Sequence, residues 1–187
     1  MINNQEAVKD RVPYFTADNH WGHNRILEYS KRPFKTVEEM NEAMIANWNA
    51  RVRKQDVVYH VGDFSFLPFD RTKPIFDRLN GEKHLILGNH DRLNMMRNLG
   101  WASISQYKEI KVQGQSIVLL HYAMKVWNKS HHGAWHLYGH SHNSLPDDPT
   151  SLSIDVGVDA HGYAPISFDG VKQIMSRKRF VPVDHHE

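Results

Sequence analysis

The sequence predicts a mixed α/β protein in which a pair of mixed β-sheets is flanked by helices. In the first half of the chain, short apolar runs alternate with segments of helical periodicity, which is typical of parallel strands joined by helices. In the second half, the apolar runs follow one another through turn residues, which is typical of hairpins. A length of 187 residues suits a single domain spanning residues 1–187.

Three strands and four helical segments are predicted in the first half. Thr36 followed by Glu39 forms the capping-box pattern that begins a helix, and Asn80-Gly81 is a typical helix end. The predicted strands are Pro13–Ala17, Val57–Val61 and Lys83–Leu87, and the predicted helices are Asn24–Tyr29, Val37–Arg53, Phe69–Leu79 and Arg92–Leu99.

Hairpin-like strands and one last helix are predicted in the second half. Gln113-Gly114 separates two apolar runs and predicts a tight turn, because glycine permits a positive φ. Asp169 is the predicted N-cap of a helix at Gly170–Arg177. The predicted strands are Gln106–Val112, Ser116–Leu120, Trp135–Tyr138 and Leu152–Val156, and Ala123–Ala134 is a predicted basic, aromatic loop.

The composition excludes several classes of protein. The chain has no cysteine, so any metal must be bound by nitrogen and oxygen ligands. No apolar run approaches the length of about 20 residues that a membrane span needs, and the polar segment Met1–Arg11 lacks the apolar core of a secretory signal. We therefore expect a cytoplasmic protein with no membrane partner. A net charge of +2 permits an anionic substrate without requiring one.

Polar side chains follow five of the predicted strands at the point where each strand ends. After Leu85-Ile86-Leu87, we expect a positive φ at Gly88 that turns the next residues back over the strand ends. Residues two apart on an extended segment point to the same side, which favours joint binding by Asp18 with His20 and by His140 with His142. The side chains at these exits are Asp18, His20, Asp63, Asn89, His90, Asp91, His121, His140 and His142.

These imidazole, carboxylate and amide groups predict one metal site built from several strand ends. Asp63 has two carboxylate oxygens and is the candidate to bridge two cations. Such a set fits Mn²⁺, Fe, Zn²⁺, Co²⁺ or Ni²⁺ better than Mg²⁺ or Ca²⁺. The chain has 14 histidines, and the others have simpler interpretations: core for His60 and His84, loop structure for His161, and surface for His131, His132, His185 and His186.

The order of these groups resembles the calcineurin-like metallophosphoesterase superfamily, whose pattern is D-x-H, G-D, G-N-H-[DE], H and G-H-x-H. All five blocks stand here in that order, between Asp18 and His142. The chain is most similar to the small bacterial and phage members without a cap domain. It lacks the G-D-x-x-D-R-G motif of protein phosphatases and dinucleoside tetraphosphatases, because Gly62-Asp63 is followed by Phe64-Ser65-Phe66.

The resemblance implies a four-layer α/β/β/α sandwich with two mixed sheets, and a dinuclear metal centre. Asp63 would bridge the ions, and a metal-bridging water would be the nucleophile. His90 would contact the phosphate, either as general acid toward the leaving oxygen or as a stabiliser of charge there, so Asp63, Asn89 and His90 are the predicted catalytic residues. One ion would be held by Asp18, His20, Asp63 and His142, and the other by Asp63, Asn89, His121 and His140.

One departure from the family pattern concerns His90. Many relatives carry an Asp or His three residues after the Gly-Asp aspartate, where it orients the general acid, and this chain has Phe66 there. Either another group, such as Asp91 or a backbone carbonyl, would then orient His90, or His90 would be tuned differently.

Further candidates for substrate binding have two interpretations each. His23 either reaches a phosphate oxygen together with Asn89 and His90 or caps the following helix, and Arg25 either binds phosphate or lies on a solvated helix face. The segment Lys125–His136 is either a nucleic-acid contact, with basic groups between aromatic rings, or a solvated loop.

The favoured prediction is a phosphodiesterase with two divalent metal ions, Mn²⁺ first among them, acting on nucleotide-like or nucleic-acid-end diesters. The alternatives are a phosphomonoesterase of the same superfamily and a catalytically degenerate, metal-bound binding module. The oligomeric state is left open.

Overall fold

The computed structural model describes residues 11–183. Most of the polar start of the chain, and His185 and His186, lie outside the described residues. Among the helices that are described, none is long and apolar enough to cross a membrane.

The first of the two sheets has five strands. Its strands are β1 (Pro13–Thr16), β2 (Val57–His60), β3 (Glu82–Ile86), β4 (Ser103–Ser105) and β9 (Ile166–Ser167). They lie in the order β4-β3-β2-β1-β9, with β1 to β4 parallel and β9 antiparallel to β1. The carboxyl ends of β1, β2 and β3 therefore meet at one edge of this sheet.

The second sheet has four strands. Its strands are β5 (Tyr107–Val112), β6 (Gln115–Leu120), β7 (Trp135–Tyr138) and β8 (Ser153–Asp155), in that spatial order. The predicted hairpin joins β5 to β6, and both turn residues, Gln113 and Gly114, have positive φ (48° and 88°). Strands β6, β7 and β8 are parallel, so this sheet is mixed as well.

Five α-helices connect or follow these strands in the described residues. They are α1 (Ile26–Tyr29), α2 (Val37–Arg51), α3 (Phe69–Arg78), α4 (Leu93–Met96) and α5 (Phe168–Met175). The predicted cap of α2 is confirmed, because Thr36 Oγ1 accepts a hydrogen bond from the Glu39 amide at 3.1 Å. The predicted cap of the last helix is wrong. Ser167 caps α5 through the Gly170 amide (3.2 Å), and Asp169 already lies inside the helix.

Two apolar cores hold these layers together. Phe15 and Val61 from the first sheet pack with Leu119 and Leu137 from the second, which seals the sheets against each other. The other face of the first sheet is covered by α1 to α4, and the core there is formed by Met40, Met44, Trp48, Val58, Phe76 and Leu85. The predicted fold class, a mixed α/β protein with two sheets flanked by helices, is confirmed.

Candidate metal centre

The predicted site residues lie in loops at the carboxyl ends of strands from both sheets. The amide of Asp18 donates to the carbonyl of Gly62 (2.9 Å), and the amide of His140 donates to Asp18 Oδ2 (2.9 Å), so the loops of the two sheets are tied together. Asp18 and His20 follow β1, Asp63 follows β2, Asn89 and His90 follow β3, His121 follows β6, and His140 and His142 follow β7.

Two groups of potential ligand atoms form within this edge. One consists of Asp18, His20 and His142 and the other of Asp63, His121 and His140, each with one atom per residue within 4.8 Å of the others. Asn89 joins the second group, because its Oδ1 lies 3.0 Å from His121 Nε2 and 3.1 Å from His140 Nδ1.

Asp63 lies between the two groups. Its Oδ2 is 3.5 Å from His20 Nε2 in the first group and 3.5 Å from His121 Nε2 in the second. Its Oδ1 accepts a hydrogen bond from the amide of His90 at 2.9 Å. The carboxylate is therefore held in place by one oxygen while the other faces both groups.

Two buried atoms of the first group have no hydrogen-bond partner among the described residues, namely Asp18 Oδ1 and His20 Nε2. Leaving such atoms unpaired costs about 1–3 kcal/mol each, and a cation between them would satisfy both. Burial, and then the charges of Asp155 and Asp63, raise the pKa of Asp18 well above its usual range, so a nearby cation would stabilise its charged form. The residues present fit a pair of divalent cations with mixed nitrogen and oxygen ligands.

The protonation of two candidate ligands, His20 and Asp63, agrees with this fit. Burial lowers the pKa of His20 to about 2, and the neighbouring His142 adds to the effect, so the ring is neutral near pH 7. Burial alone would raise the pKa of Asp63, but His121 and the backbone amide of His90 outweigh it and bring the value to about 2. The lone pair of His20 and the charge of Asp63 are both available to a cation.

The backbone at the site is unusual. Five candidate ligands occupy the left-handed region, with φ between 47° and 68°: Asp18, His20, Asp63, His140 and His142. Non-glycine residues in this region are uncommon and concentrate at functional sites. The expectation of extended segments is therefore wrong at Asp18 and His20 and at His140 and His142. Asp18 and His20 nevertheless lie in the same group, as expected, whereas His140 and His142 lie in different groups.

Two glycines allow the loops to approach each other. Gly62 has a φ of 93°, which suits glycine. Gly88 does not take the positive φ that we predicted. It is required for space instead, because a Cβ at this position would collide with the carboxylate of Asp63.

The model of the calcineurin-like phosphoesterase superfamily domain matches residues 18–155, the segment that contains every candidate ligand. The chain belongs to this superfamily. The family that the sequence predicts is thereby confirmed.

Relatives of this superfamily member cover most of its length. An uncharacterized protein of Methanocaldococcus jannaschii is 32% identical over 178 residues, which cover 91% of this chain and 95% of that protein. The gene 66 protein of Mycobacterium phage L5 is 29% identical over 184 residues, which cover 80% and 87%. A solved structure, a protein of unknown function from Aquifex aeolicus, shares the fold with a TM-score of 0.71 and 22% identity, covering 88% of this chain and 100% of that one.

A buried salt bridge supports the first group of this phosphoesterase-family site. Asp159 Oδ2 lies 2.8 Å from His142 Nδ1, and the Asp159 carboxylate also binds Arg32 through both oxygens (2.8 Å each). Arg32 is buried and donates further to the carbonyls of Asp18 (2.7 Å) and Asn19 (3.0 Å). Sequence analysis missed Arg32 and Asp159. They lie 127 positions apart, and no motif or periodicity singles out either residue.

His90 is oriented differently from our expectation. The carboxylate of Asp91 accepts hydrogen bonds from the amides of Gly88, Asp63 and Phe64 (2.9 Å each), so it supports the backbone and not the His90 ring. The ring is half-exposed, its Nε2 lies 4.0 Å from Asp63 Oδ2, and it packs against Phe66 with ring centroids 4.8 Å apart. Phe66 thus contacts the ring that a polar residue orients in many relatives.

A cavity of about 510 Å³ opens beside the metal centre. His20, His90, His140 and His142 line it, and so do both further candidates for substrate binding, His23 and Arg25. His23 packs on Phe66 with ring centroids 4.0 Å apart, and the Arg25 guanidinium lies 4.9 Å from the centre of the Tyr29 ring.

The two tryptophans of the segment Lys125–His136 are not exposed for contact with a nucleic acid. Trp127 is buried and donates from Nε1 to the carbonyl of Ala134 at 3.0 Å, and Trp135 is buried against Phe168.

His131 and His132 are exposed, as predicted, while His60 is buried and bonded to Asn19 Oδ1 (2.8 Å). His161 holds its own loop, through the carbonyl of Asp155 at 2.8 Å.

Proposed function

We propose that this protein is a divalent metal-dependent phosphodiesterase. Asp18, His20 and His142 would hold one cation, Asn89, His121 and His140 the other, and Asp63 both. The observation that carries the proposal is the position of Asp63 Oδ2, which lies 3.5 Å from a histidine of each group. Nearby, Asp18 Oδ1 and His20 Nε2 have no hydrogen-bond partner within residues 11–183.

When bound, such cations polarise the phosphoryl group and lower the pKa of an attacking water. The chain's own residues supply the rest. His90 lines the cavity, and Asn89, which precedes it, is also exposed. His90 acts toward the leaving oxygen, by donating a proton or by stabilising the charge that develops there.

The cavity favours a diester over a monoester. A diester carries a second substituent, for which a cavity of about 510 Å³ has room. It also carries one negative charge at neutral pH, where a monoester carries close to two. Arg25 is the one lysine or arginine among the lining residues in the described part of the chain, which matches the smaller charge.

The test is hydrolysis of bis(4-nitrophenyl) phosphate beside 4-nitrophenyl phosphate, with chelator-stripped protein before and after addition of Mn²⁺, Zn²⁺ or Ni²⁺. Faster cleavage of the diester, restored by metal, is the expected result. Preference for the monoester would instead assign a phosphomonoesterase.

A second candidate is a degenerate, metal-bound binding module, which is favoured by Phe66 in place of a polar orienting residue. Absence of turnover with either ester, in protein shown by elemental analysis to hold two metals, would select this candidate. Against it stands the full set of ligand residues in the two groups.

A further inference from the structure

Aromatic rings form a continuous wall from the metal centre to solvent. The Phe66 ring lies 4.8 Å from His90, and His23 stacks on Phe66 at 4.0 Å with 12° between the ring planes. Tyr29 follows, 6.3 Å from His23. We call Phe66, His23 and Tyr29 the aromatic wall. Its first ring touches His90, the proposed partner of the leaving oxygen.

Two rings of the aromatic wall, Phe66 and Tyr29, are exposed. Tyr29 is 59% and Phe66 38% accessible, whereas Trp127, which precedes β7, and Trp135 on β7 are less than 9% accessible. A ligand that covers exposed apolar ring surface is stabilised by about 25 cal/mol for every Å² that it buries. A flat aromatic ligand covers such a face well and adds the favourable geometry of ring stacking.

Arg25 lies at the outer end of the aromatic wall, over the Tyr29 ring. A guanidinium can stack on a planar ring and can also pair with a phosphate oxygen. An aromatic surface with a cation at its end, next to a site for phosphate, has the complementary chemistry of a nucleotide.

We propose that the aromatic wall is a stacking subsite for the base of a nucleoside-bearing phosphodiester. This inference rests on the proposed function, because the metal centre must hold the phosphate while the base stacks on Tyr29 and contacts the part of Phe66 that His23 leaves exposed. Every nucleobase has an aromatic face, so the subsite accepts different bases. The aromatic wall, and not the segment Lys125–His136, is then the place where a base is bound.

The first experiment compares thymidine 5′-(4-nitrophenyl phosphate) with methyl 4-nitrophenyl phosphate in the Mn²⁺-loaded protein. Both esters release nitrophenolate, so the ratio of their kcat/KM values reports the nucleoside alone. Tyr29→Ala is expected to lower this ratio roughly tenfold, the effect of losing one stacked base, while Tyr29→Phe keeps it. The matched control is Tyr107→Ala, an exposed tyrosine on β5 (41% accessible), which leaves the ratio unchanged.

The second experiment measures binding without turnover. Calorimetry is expected to show that Tyr29→Ala weakens thymidine 5′-monophosphate binding roughly tenfold but leaves the Kd of inorganic phosphate unchanged. Equal weakening of both ligands, or of neither, would overturn the subsite. A dinucleotide tests the source of the base: cleavage as fast as that of the mononucleotide ester indicates nucleic-acid ends, and slower cleavage indicates free nucleotides.

The two proposals fail in different ways. If the wild-type protein hydrolyses both nitrophenyl diesters but Tyr29→Ala leaves their ratio unchanged, the subsite is wrong and the phosphodiesterase stands. If neither ester is hydrolysed with metal bound, the proposed function is wrong, and binding of thymidine 5′-monophosphate by Tyr29 is then decided by calorimetry alone.

Discussion

The carboxylate of Asp159 lies 2.8 Å from His142 Nδ1 and, through its ion pair with Arg32, is itself fixed in a buried position. A hydrogen bond to Nδ1 fixes the tautomer of the ring and leaves the lone pair on Nε2 for a cation. Asp159 therefore positions a candidate ligand without belonging to either group of candidate ligands.

Replacing this carboxylate is expected to weaken one cation site. Asp159→Asn should lower the affinity for one of two Mn²⁺ ions by roughly 10–100-fold, the usual effect of losing such a partner. Calorimetric titration of the chelator-stripped protein measures this. The control is Asp77→Asn, which removes an exposed carboxylate on α3 that pairs with Lys73. Two unchanged affinities in Asp159→Asn would contradict the role.

Asp63→Asn is expected to affect both cations at once. The substitution keeps the size of the side chain but removes the charge of the oxygen that faces both groups. We expect the diesterase rate to fall by roughly a thousandfold or more, and elemental analysis to find less than one metal per chain. A variant that retains two metals and most of its activity would refute the shared-ligand arrangement.

His90→Ala is expected to lower the hydrolysis rate by a factor that depends on the leaving group of the substrate. A nitrophenolate leaves without a proton, whereas an alkoxide needs one, and general acids contribute about 10²–10⁴-fold. The expected loss is therefore a few-fold for nitrophenyl esters and roughly a hundredfold or more for an alkyl diester. Equal losses on both substrates would assign His90 to charge stabilisation alone.

His136 gives the fold a sensitivity to acid. It lies on β7, is buried, and its Nε2 accepts a hydrogen bond from the amide of Met124 at 3.1 Å. Burial lowers the pKa of His136 from 6.5 to about 4. Between pH 6.5 and pH 4, His136 binds a proton in the unfolded chain but not in the folded protein. Its contribution to the free energy of unfolding is therefore fully present above pH 6.5 and is lost as the pH falls toward 4.

This loss amounts to about 3 kcal/mol for one histidine. His136→Gln should flatten the dependence of unfolding free energy on pH over this range, as measured by urea denaturation at a series of pH values. His132→Gln, at an exposed position, is the control. An identical pH slope in His136→Gln and the wild type would exclude the buried ring as the cause.

Sequence patterns located the candidate ligands but not the residues that support them. Asp63 and His121 each follow an apolar run, so a local signal marks them. Arg32 and Asp159 meet only after folding, and the 127 positions between them leave no periodicity to detect. Phe66 was recognised as a departure from the family pattern, but its stacking on His23 depends on a contact between two loops.

The missed strands have a similar explanation. β4 and β9 have three and two residues, too few to show alternation. β9 exists because Ile166 and Ser167 pair with β1, more than 150 positions earlier in the chain. Ser167 then also caps α5, which displaced the predicted cap at Asp169 by two residues. The exposure of Trp127 and Trp135 was misjudged because composition does not reveal which rings become buried on folding.

The left-handed backbone at the five candidate ligands means that catalysis and stability make opposite demands on this chain. An Asp or His at positive φ costs about 1 kcal/mol relative to glycine. His142→Gly should therefore unfold at a higher temperature than His142→Ala, although both lack the imidazole. A sequence selected for thermal stability alone would acquire glycine at these positions and lose the candidate ligands. Substitutions that raise the unfolding temperature must therefore be sought elsewhere in the fold.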